Sequence, residues 1–192
     1  MPRLSGPVVA AGSLSRLAQP VLDADGLVLR AWQREDAPAV VAAYADPDIR
    51  RWHARSMNIA EALDWTETWA QRWRKENDCG WAVTNKDVVL GQISLRGVDL
   101  DGGSAGISYW VIPQARGQRI APRALEAVTQ WAFEELGLHR LEILHSTRNQ
   151  ASCRVAERAG YLAEGVKRSE ALHADGWHDM HQHARIRTEP GP

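Results

Sequence analysis

A mixed α/β fold, with a mostly antiparallel central sheet flanked by helices, is what this sequence predicts, and three observations predict it. Three extended runs follow one another between Gly80 and Ile112, as in an antiparallel meander. A helical run, "PRALEAVTQWAFEELGL", and a strand, "RLEILHS", come next, so one strand-helix-strand unit sits mid-chain. Two last extended runs around "HADG" then close the chain as a hairpin.

Taken in order, "LVLRAW" alternates as a strand should. In "REDAPAVVAAYADP", Asp36 is a helix start signal, Pro38 falls in the first turn and Pro47 lies beyond the end. A second helix begins near Asn58 and carries Trp65, Trp69 and Trp73 at i, i+4 and i+8, a stripe that belongs in a core or, on the sharper reading, forms the wall of an acceptor pocket. "GWAVT" and "VVLGQISL" flank "NKD" as a hairpin, and "AGISYWVI" ends at Pro113. The mid-chain helix places Pro122 at its first position and stops at Gly137. "NQASCRVAERAG" is a short helix with Asn149 near its start and Gly160 at its end.

A length of 192 residues suits one domain, expected over 25–188, with a flexible N-terminal arm at 1–24 and a tail at 189–192. The composition, 44% hydrophobic and 24% charged with net charge -1, supplies no basic field for nucleic acid or acidic membranes, so neither is an expected partner. Two cysteines are too few for a disulfide framework, which makes a reducing cytoplasm the expected compartment. No apolar run approaches the roughly 20 residues of a membrane helix.

The junction "VIPQARGQRIAPRAL" carries the first chemical signal. Just after a strand, "RGQRIA" offers successive backbone N–H groups at a helix start, where unpaired donors and the helix dipole favour an anion. Gly117 permits a left-handed backbone, and Arg116 and Arg119 bring charge for phosphate oxygens. The loop has neither the spaced glycines of a dinucleotide fingerprint nor the Gly-Lys-Ser/Thr of a P-loop, so alone it is also read as an ordinary basic turn.

With "LVLRAWQREDA", "ISYWVIPQARGQRIA", "LHRLEILHSTRNQASCRVAERAGYLAEG" and Asp179 in "DMHQHARI", the stretch from Leu27 to Ile186 resembles the GCN5-related N-acetyltransferases (GNAT), in the branch of the RimJ- and RimL-type ribosomal-protein acetyltransferases. The resemblance implies a sheet that splays at the strand carrying Trp110, Val111 and Ile112, with acetyl-CoA as co-substrate in the gap. It implies that Arg116, Gly117, Gln118, Arg119, Ile120 and Ala121 cap the pyrophosphate. Main-chain groups of Val111 and Ile112 would meet the pantetheine arm, and Asn149 and Ser152 its sulfur end.

Acyl transfer from a thioester to an amine needs a neutral nucleophile, a held carbonyl oxygen and a leaving thiolate. Ser152 is the candidate proton donor to sulfur, although it also suits support of its helix start. For the base, many relatives carry Glu where this chain has Gly106, with Ser108 nearby. His145, or a water chain from Asp99 or Asp101, is the substitute; a strand histidine held by hydrogen bonds is the plain alternative. Arg119 stands where the family loop has a second glycine. A module that keeps the cleft but has lost turnover is therefore the rival to an enzyme.

In "WHDMHQH", Asp179, His181 and His183 share one face of a strand. The outer two are about 13 Å apart at ~3.3 Å per residue, too far to share one ion, so no metal is expected and polar pairing across the last hairpin is the plain reading, although a pair at i and i+2 could recruit a third ligand from elsewhere. The expected partners are a small-molecule amine or a protein N-terminus, and a second copy of the chain by family analogy. "DIRRWHARS" and the tryptophan-rich helix are expected to border the acceptor side, where Arg50, Arg51 and Arg55 would attract an acidic substrate.

Overall fold

Short-range signals account for most of the chain's elements. The computed structural model describes residues 6–187. The elements run β1 (Leu22–Asp23), β2 (Val28–Ala31), α1 (Ala37–Ala45), α2 (Pro47–His53), α3 (Ile59–Arg74), β3 (Asp78–Asn85), β4 (Val88–Asp99), β5 (Ser104–Val111), α4 (Ile120–Glu134), β6 (Arg140–Ser146), α5 (Gln150–Arg158), β7 (Leu162–His173) and β8 (Gly176–Ile186). Lys86 and Asp87 both take φ > 0, the turn geometry that matches strand twist, and so close the β3–β4 hairpin. Asn58 caps α3 by accepting from the Glu61 N–H at 3.0 Å, while the Glu61 carboxylate returns to the Asn58 N–H.

The eight strands form one sheet in the order β1-β2-β3-β4-β5-β6-β8-β7. Every neighbouring pair is antiparallel except β5–β6, which is parallel. Alternation along the strands sends side chains to two cores. Trp81 and Val83 meet Ala124, Leu125 and Val128 of α4 in one. Ala82 and Trp110 meet Val40 of α1 and Ala62, Trp65 and Trp69 of α3 in the other.

The α3 tryptophans are therefore core, as the first of the two readings held: Trp65, Trp69 and Trp73 are all buried. Edge-to-face contacts run from Trp32 to Trp65 (4.8 Å) and on to Trp69 (5.3 Å), each such pair adding about 0.5–1.5 kcal/mol beyond area burial. The wall of an acceptor pocket is not their role.

Pro47 lies beyond the end of α1, as expected, and it also opens a further helix, α2, because Asp46 caps it by accepting from the Ile49 N–H at 3.0 Å; Asp-Pro reads as a start as well as a stop. Two expectations need correction. Helix α4 begins at Ile120, which makes Pro122 its third residue, still within the first turn where no N–H is needed. The described part of the expected arm is packed rather than free. Leu14 is fully buried, and the Glu76 carboxylate accepts from the N–H groups of Gly12, Leu14 and Ser15 at 2.7–2.8 Å. The indoles of Trp73 and Trp81 donate to Leu17 O and Pro20 O. The tail at 189–192 lies outside the described residues.

Two outcomes follow from this packing. A Cβ at Gly80 would overlap the Trp69 indole, so Gly80→Ala should lose about 1–3 kcal/mol in urea unfolding. Burial alone would raise the Glu76 carboxyl, but the three N–H donors outweigh it and hold the group below its ordinary 4.5. A depressed folded value stabilises above the unfolded one. The advantage of the wild type over Glu76→Gln should be full at neutral pH and fade as pH falls below 4.5, read by thermal melts across pH.

Candidate functional site

Strands β5 and β6 pair over only four positions, Ser104 to Ile107 against Arg140 to Ile143. Beyond that point each keeps its outer partner: β5 stays on β4 as far as Val111, and β6 stays on β8 as far as Ser146. The two strands therefore part, and the backbone on the open side of β5 loses its ladder. The Ile112 N–H donates to Leu90 O on the β4 side at 2.9 Å, so by alternation the main-chain groups of Tyr109 and Val111 face the gap. Ile112 itself, expected beside a pantetheine arm, is committed to β4. Open carbonyls need partners, and the protein supplies them: His53 Nε2–H donates to Tyr109 O at 3.2 Å, and Arg116 Nε to Val111 O at 3.4 Å.

Two cavities occupy the gap. The outer cleft, about 380 Å³, runs from the α4 loop along β5 to α5. The inner cavity, about 120 Å³, lies between β5, β6, α2 and β7. Trp52, His53, Tyr109, Asn149 and Ser152 line both. At this shared wall the Tyr109 hydroxyl meets Ser152 Oγ at 2.7 Å. Burial pushes the Tyr109 phenol up to about 12, partly offset by the Ser152 hydrogen bond, so the pair stays protonated at neutral pH and acts as a donor. Burial likewise lowers His53 to about 4, leaving it neutral.

At the outer end, the α4 loop has the shape an anion cradle requires. Gly117 has φ +79° with no atom near an added Cβ, so its glycine serves backbone conformation rather than space. Arg119, the N-cap of α4, also sits left-handed, at φ 58° and ψ 24°. The position therefore does need positive φ, and a non-glycine residue holds it at a cost of about 1–2 kcal/mol. Arg116 is not free for a ligand: its guanidinium grips Asp46 at 2.6 Å and Asp48 at 2.9 Å, tying the loop to the start of α2.

Of the residues expected at the co-substrate, Trp110, Val111, Arg116, Gly117, Arg119, Ile120, Ala121, Asn149 and Ser152 line the outer cleft, whereas Ile112 and Gln118 do not. Asn149 caps α5, its Oδ1 accepting from the Ser152 N–H at 3.1 Å, which leaves the Ser152 hydroxyl for Tyr109. His145 lines only the inner cavity; burial lowers its pKa, and Nδ1 donates to Ser146 O at 2.9 Å. Its ring lies among those of His181 and His183. Asp99 and Asp101 sit at the far end of β5, about 23 Å of strand from Val111, so no short water chain joins them to the cleft.

Sequence reasoning missed Tyr109, Trp52, His53, Arg154 and Arg158. The arginines did carry a signal, one helical turn apart on α5. Of "DIRRWHARS", it is Trp52 and His53 that reach the cavities, while Arg51 pairs with Asp175 on the β7–β8 turn and stacks over Trp52. Ser146 Oγ, His178 and Asp175 also form a chain of hydrogen bonds (2.9 and 2.8 Å). Ser146 is buried and accepts from the Arg148 N–H, so this chain braces the β6 end rather than offering a nucleophile.

The GNAT acetyltransferase domain profile matches residues 26–162. The chain is similar to the uncharacterized N-acetyltransferase YoaA of Bacillus subtilis (strain 168), at 27% identity over 78% of this chain and 86% of that protein. It is also similar to the ribosomal-protein-serine acetyltransferase of Escherichia coli (strain K12), at 31% identity over 54% of this chain and 58% of that protein. Among solved structures, RimL, a ribosomal L7/L12 α-N-protein acetyltransferase in complex with coenzyme A, shares the fold with a TM-score of 0.81 at 20% identity, over 87% of this chain and 98% of that one. No helix among the described residues is long and apolar enough to cross a membrane. A parted β5–β6 pair, an N–H-rich turn at α4 and a profile match across most of the sheet converge on one conclusion: the chain belongs to the GNAT family and is an acyl-CoA-dependent N-acetyltransferase.

Proposed function

We propose that this enzyme acetylates protein N-termini, with acetyl-CoA entering by the outer cleft and the amine by the inner cavity. The observation that carries the reading is the wall common to both cavities, where Tyr109 and Ser152 meet. The relatives named as ribosomal-protein acetyltransferases support the choice of acceptor.

In this reading the N–H groups from Gly117 to Ala121 and the α4 dipole hold the pyrophosphate. Arg119, Arg154 and Arg158, all on the outer cleft, add charge for phosphate oxygens. Arg116 acts indirectly, neutralising Asp46 and Asp48 so that no bare carboxylates flank the anion. Main-chain groups of Tyr109 and Val111 receive the pantetheine amides, and the Val111 N–H is the donor for the carbonyl oxygen of the tetrahedral intermediate. Asn149 sets the start of α5 and thereby aims Ser152 at the sulfur.

The reaction forms a C–N bond and breaks a C–S bond, and the proton shed by the amine ends on the thiolate. A terminal α-amine, with pKa near 8, is partly neutral at physiological pH and needs no strong base. Ser152 donates its hydrogen bond to the departing sulfur, held in place by Tyr109. His145, held at Nδ1 and enclosed by two other imidazoles, is not assigned the base role; water in the inner cavity carries the amine proton away.

Peptides beginning with Ser, Ala or Thr should release free CoA thiol from acetyl-CoA faster than polyamines or aminoglycosides do. Thermal stabilisation by acetyl-CoA without amine-dependent release would instead support the binding-module reading. Ser152→Ala should lower kcat on the order of 100-fold with KM for acetyl-CoA nearly unchanged.

In the loop, Gly117→Ala should cost about 1–2 kcal/mol of stability and weaken CoA binding in calorimetry. Arg119→Gly should keep CoA binding, gain up to about 1 kcal/mol of stability, and show a shallower dependence of affinity on salt.

A further inference from the structure

Beside the inner cavity, whose wall it shares through His145, one cluster of side chains has no role in acetyl transfer. His145 on β6 stands directly across from His181 on β8, and His183 lies two residues further along the same face. The His145 ring stacks on His183 at 5.1 Å and meets His181 edge-on at 5.6 Å. Cys153 of α5 brings its Sγ to 3.9 Å from His183 Nε2. One nitrogen from each imidazole and the Cys153 sulfur all lie within 4.8 Å of one another.

The hydrogen bonds around the cluster leave lone pairs inside it. His145 Nδ1–H donates to Ser146 O at 2.9 Å, and His183 Nδ1–H donates to Tyr161 O at 3.3 Å; in a neutral ring that tautomer carries its lone pair on Nε2. His145 Nε2 and His181 Nδ1 are buried and have no hydrogen-bond partner. Buried polar atoms without partners are rare and costly, and two of them in one cluster point to a missing ligand. Imidazoles that donate their other N–H to backbone carbonyls have the outer-shell arrangement that orients metal-binding histidines.

We propose that His145, Cys153, His181 and His183 form a closed, four-coordinate structural zinc site joining β6, β8 and α5. Three nitrogens and one sulfur are a donor set that suits Zn²⁺. Zinc–ligand distances of about 2.0–2.3 Å place tetrahedral ligand atoms roughly 3.3–3.6 Å apart. A separation at the 4.8 Å limit must therefore close by about 1.2–1.5 Å, within reach of side-chain rotation. Binding expels the Cys153 thiol proton and forms the Zn–S bond; Glu157, whose Oε1 lies 3.5 Å from Sγ, balances the added charge. His181 and Cys153 are partly exposed and give the ion its entry. Asp179, which shares the strand face, is not a ligand: its Oδ1 accepts from the Ser169 N–H at 2.8 Å. No step of acetyl transfer passes through the ion, and Ser152 sits one residue from the anchored Cys153.

Full-length protein stripped with a chelator and titrated with Co²⁺ should show the visible bands of tetrahedral cobalt and a sulfur-to-cobalt charge-transfer band, saturating at one ion per chain. Zn²⁺ should displace the cobalt and raise the melting temperature. Cys153→Ser should abolish the charge-transfer band, and His181→Asn should weaken zinc binding by at least about 100-fold, the upper end of what loss of an outer-shell partner costs. Asp179→Asn should bind zinc like the wild type. Absence of a tetrahedral spectrum in the wild type would overturn the proposal, as would unchanged zinc affinity in both Cys153→Ser and His181→Asn. Peptide acetylation is measured separately, so loss of either conclusion leaves the other standing.

Discussion

The parting of β5 from β6 is the constraint on which the rest of this molecule depends. Because β5 holds to β4 and β6 to β8 after their own pairing stops at Ile107 and Ile143, the sheet opens without coming apart. An open strand edge inside a folded protein leaves main-chain donors and acceptors that must be satisfied. Here His53 and Arg116 cover two of the carbonyls from the side chains of other segments. The cleft is thus a place where the backbone has hydrogen bonds to offer to an extended, amide-bearing guest.

Several features follow from keeping that gap open. Helix α2 is clamped over the inner cavity by the Arg51–Asp175 ion pair and by His173 Nδ1–H donating to Arg51 O at 2.9 Å. Helix α5 starts inside the gap, with Asn149 as its cap, and so carries Ser152 to the Tyr109 hydroxyl. The Arg116 clasp holds the α4 loop against the start of α2. Surface ion pairs of this kind add little stability, about 0–1 kcal/mol each, so their effect is on position more than on folding.

The loop at Arg119 illustrates how a departure from a pattern is accommodated. The backbone there is left-handed, the conformation for which glycine is the usual choice. An arginine bears the strain and in return adds a cation at the mouth of the cleft. Trading a fraction of marginal stability for charge at a site is a common pattern where backbone strain and function coincide.

Local chemistry alone determined the element order from α3 onward, the hairpin turns, the α3 and α5 starts and the anion-binding junction, because periodicity, caps and turn residues act within a few positions of one another; the short β1 and the separate helix α2 were not legible in it. Most residues expected at the cleft do line it for the same reason: they lie on one contiguous strand-loop-helix segment. What only the tertiary structure decided are contacts between distant segments. Tyr109 and Ser152 are 43 residues apart, and Glu76 is more than 60 from the N-terminal residues it holds. The spacing of Asp179, His181 and His183 along one strand argued against a shared ion. It took the β6–β8 register and the placement of α5 to replace the aspartate with His145 and Cys153. Spacing along a strand limits which of its own residues can converge, but it carries no information about what a neighbouring strand or helix brings to the same point.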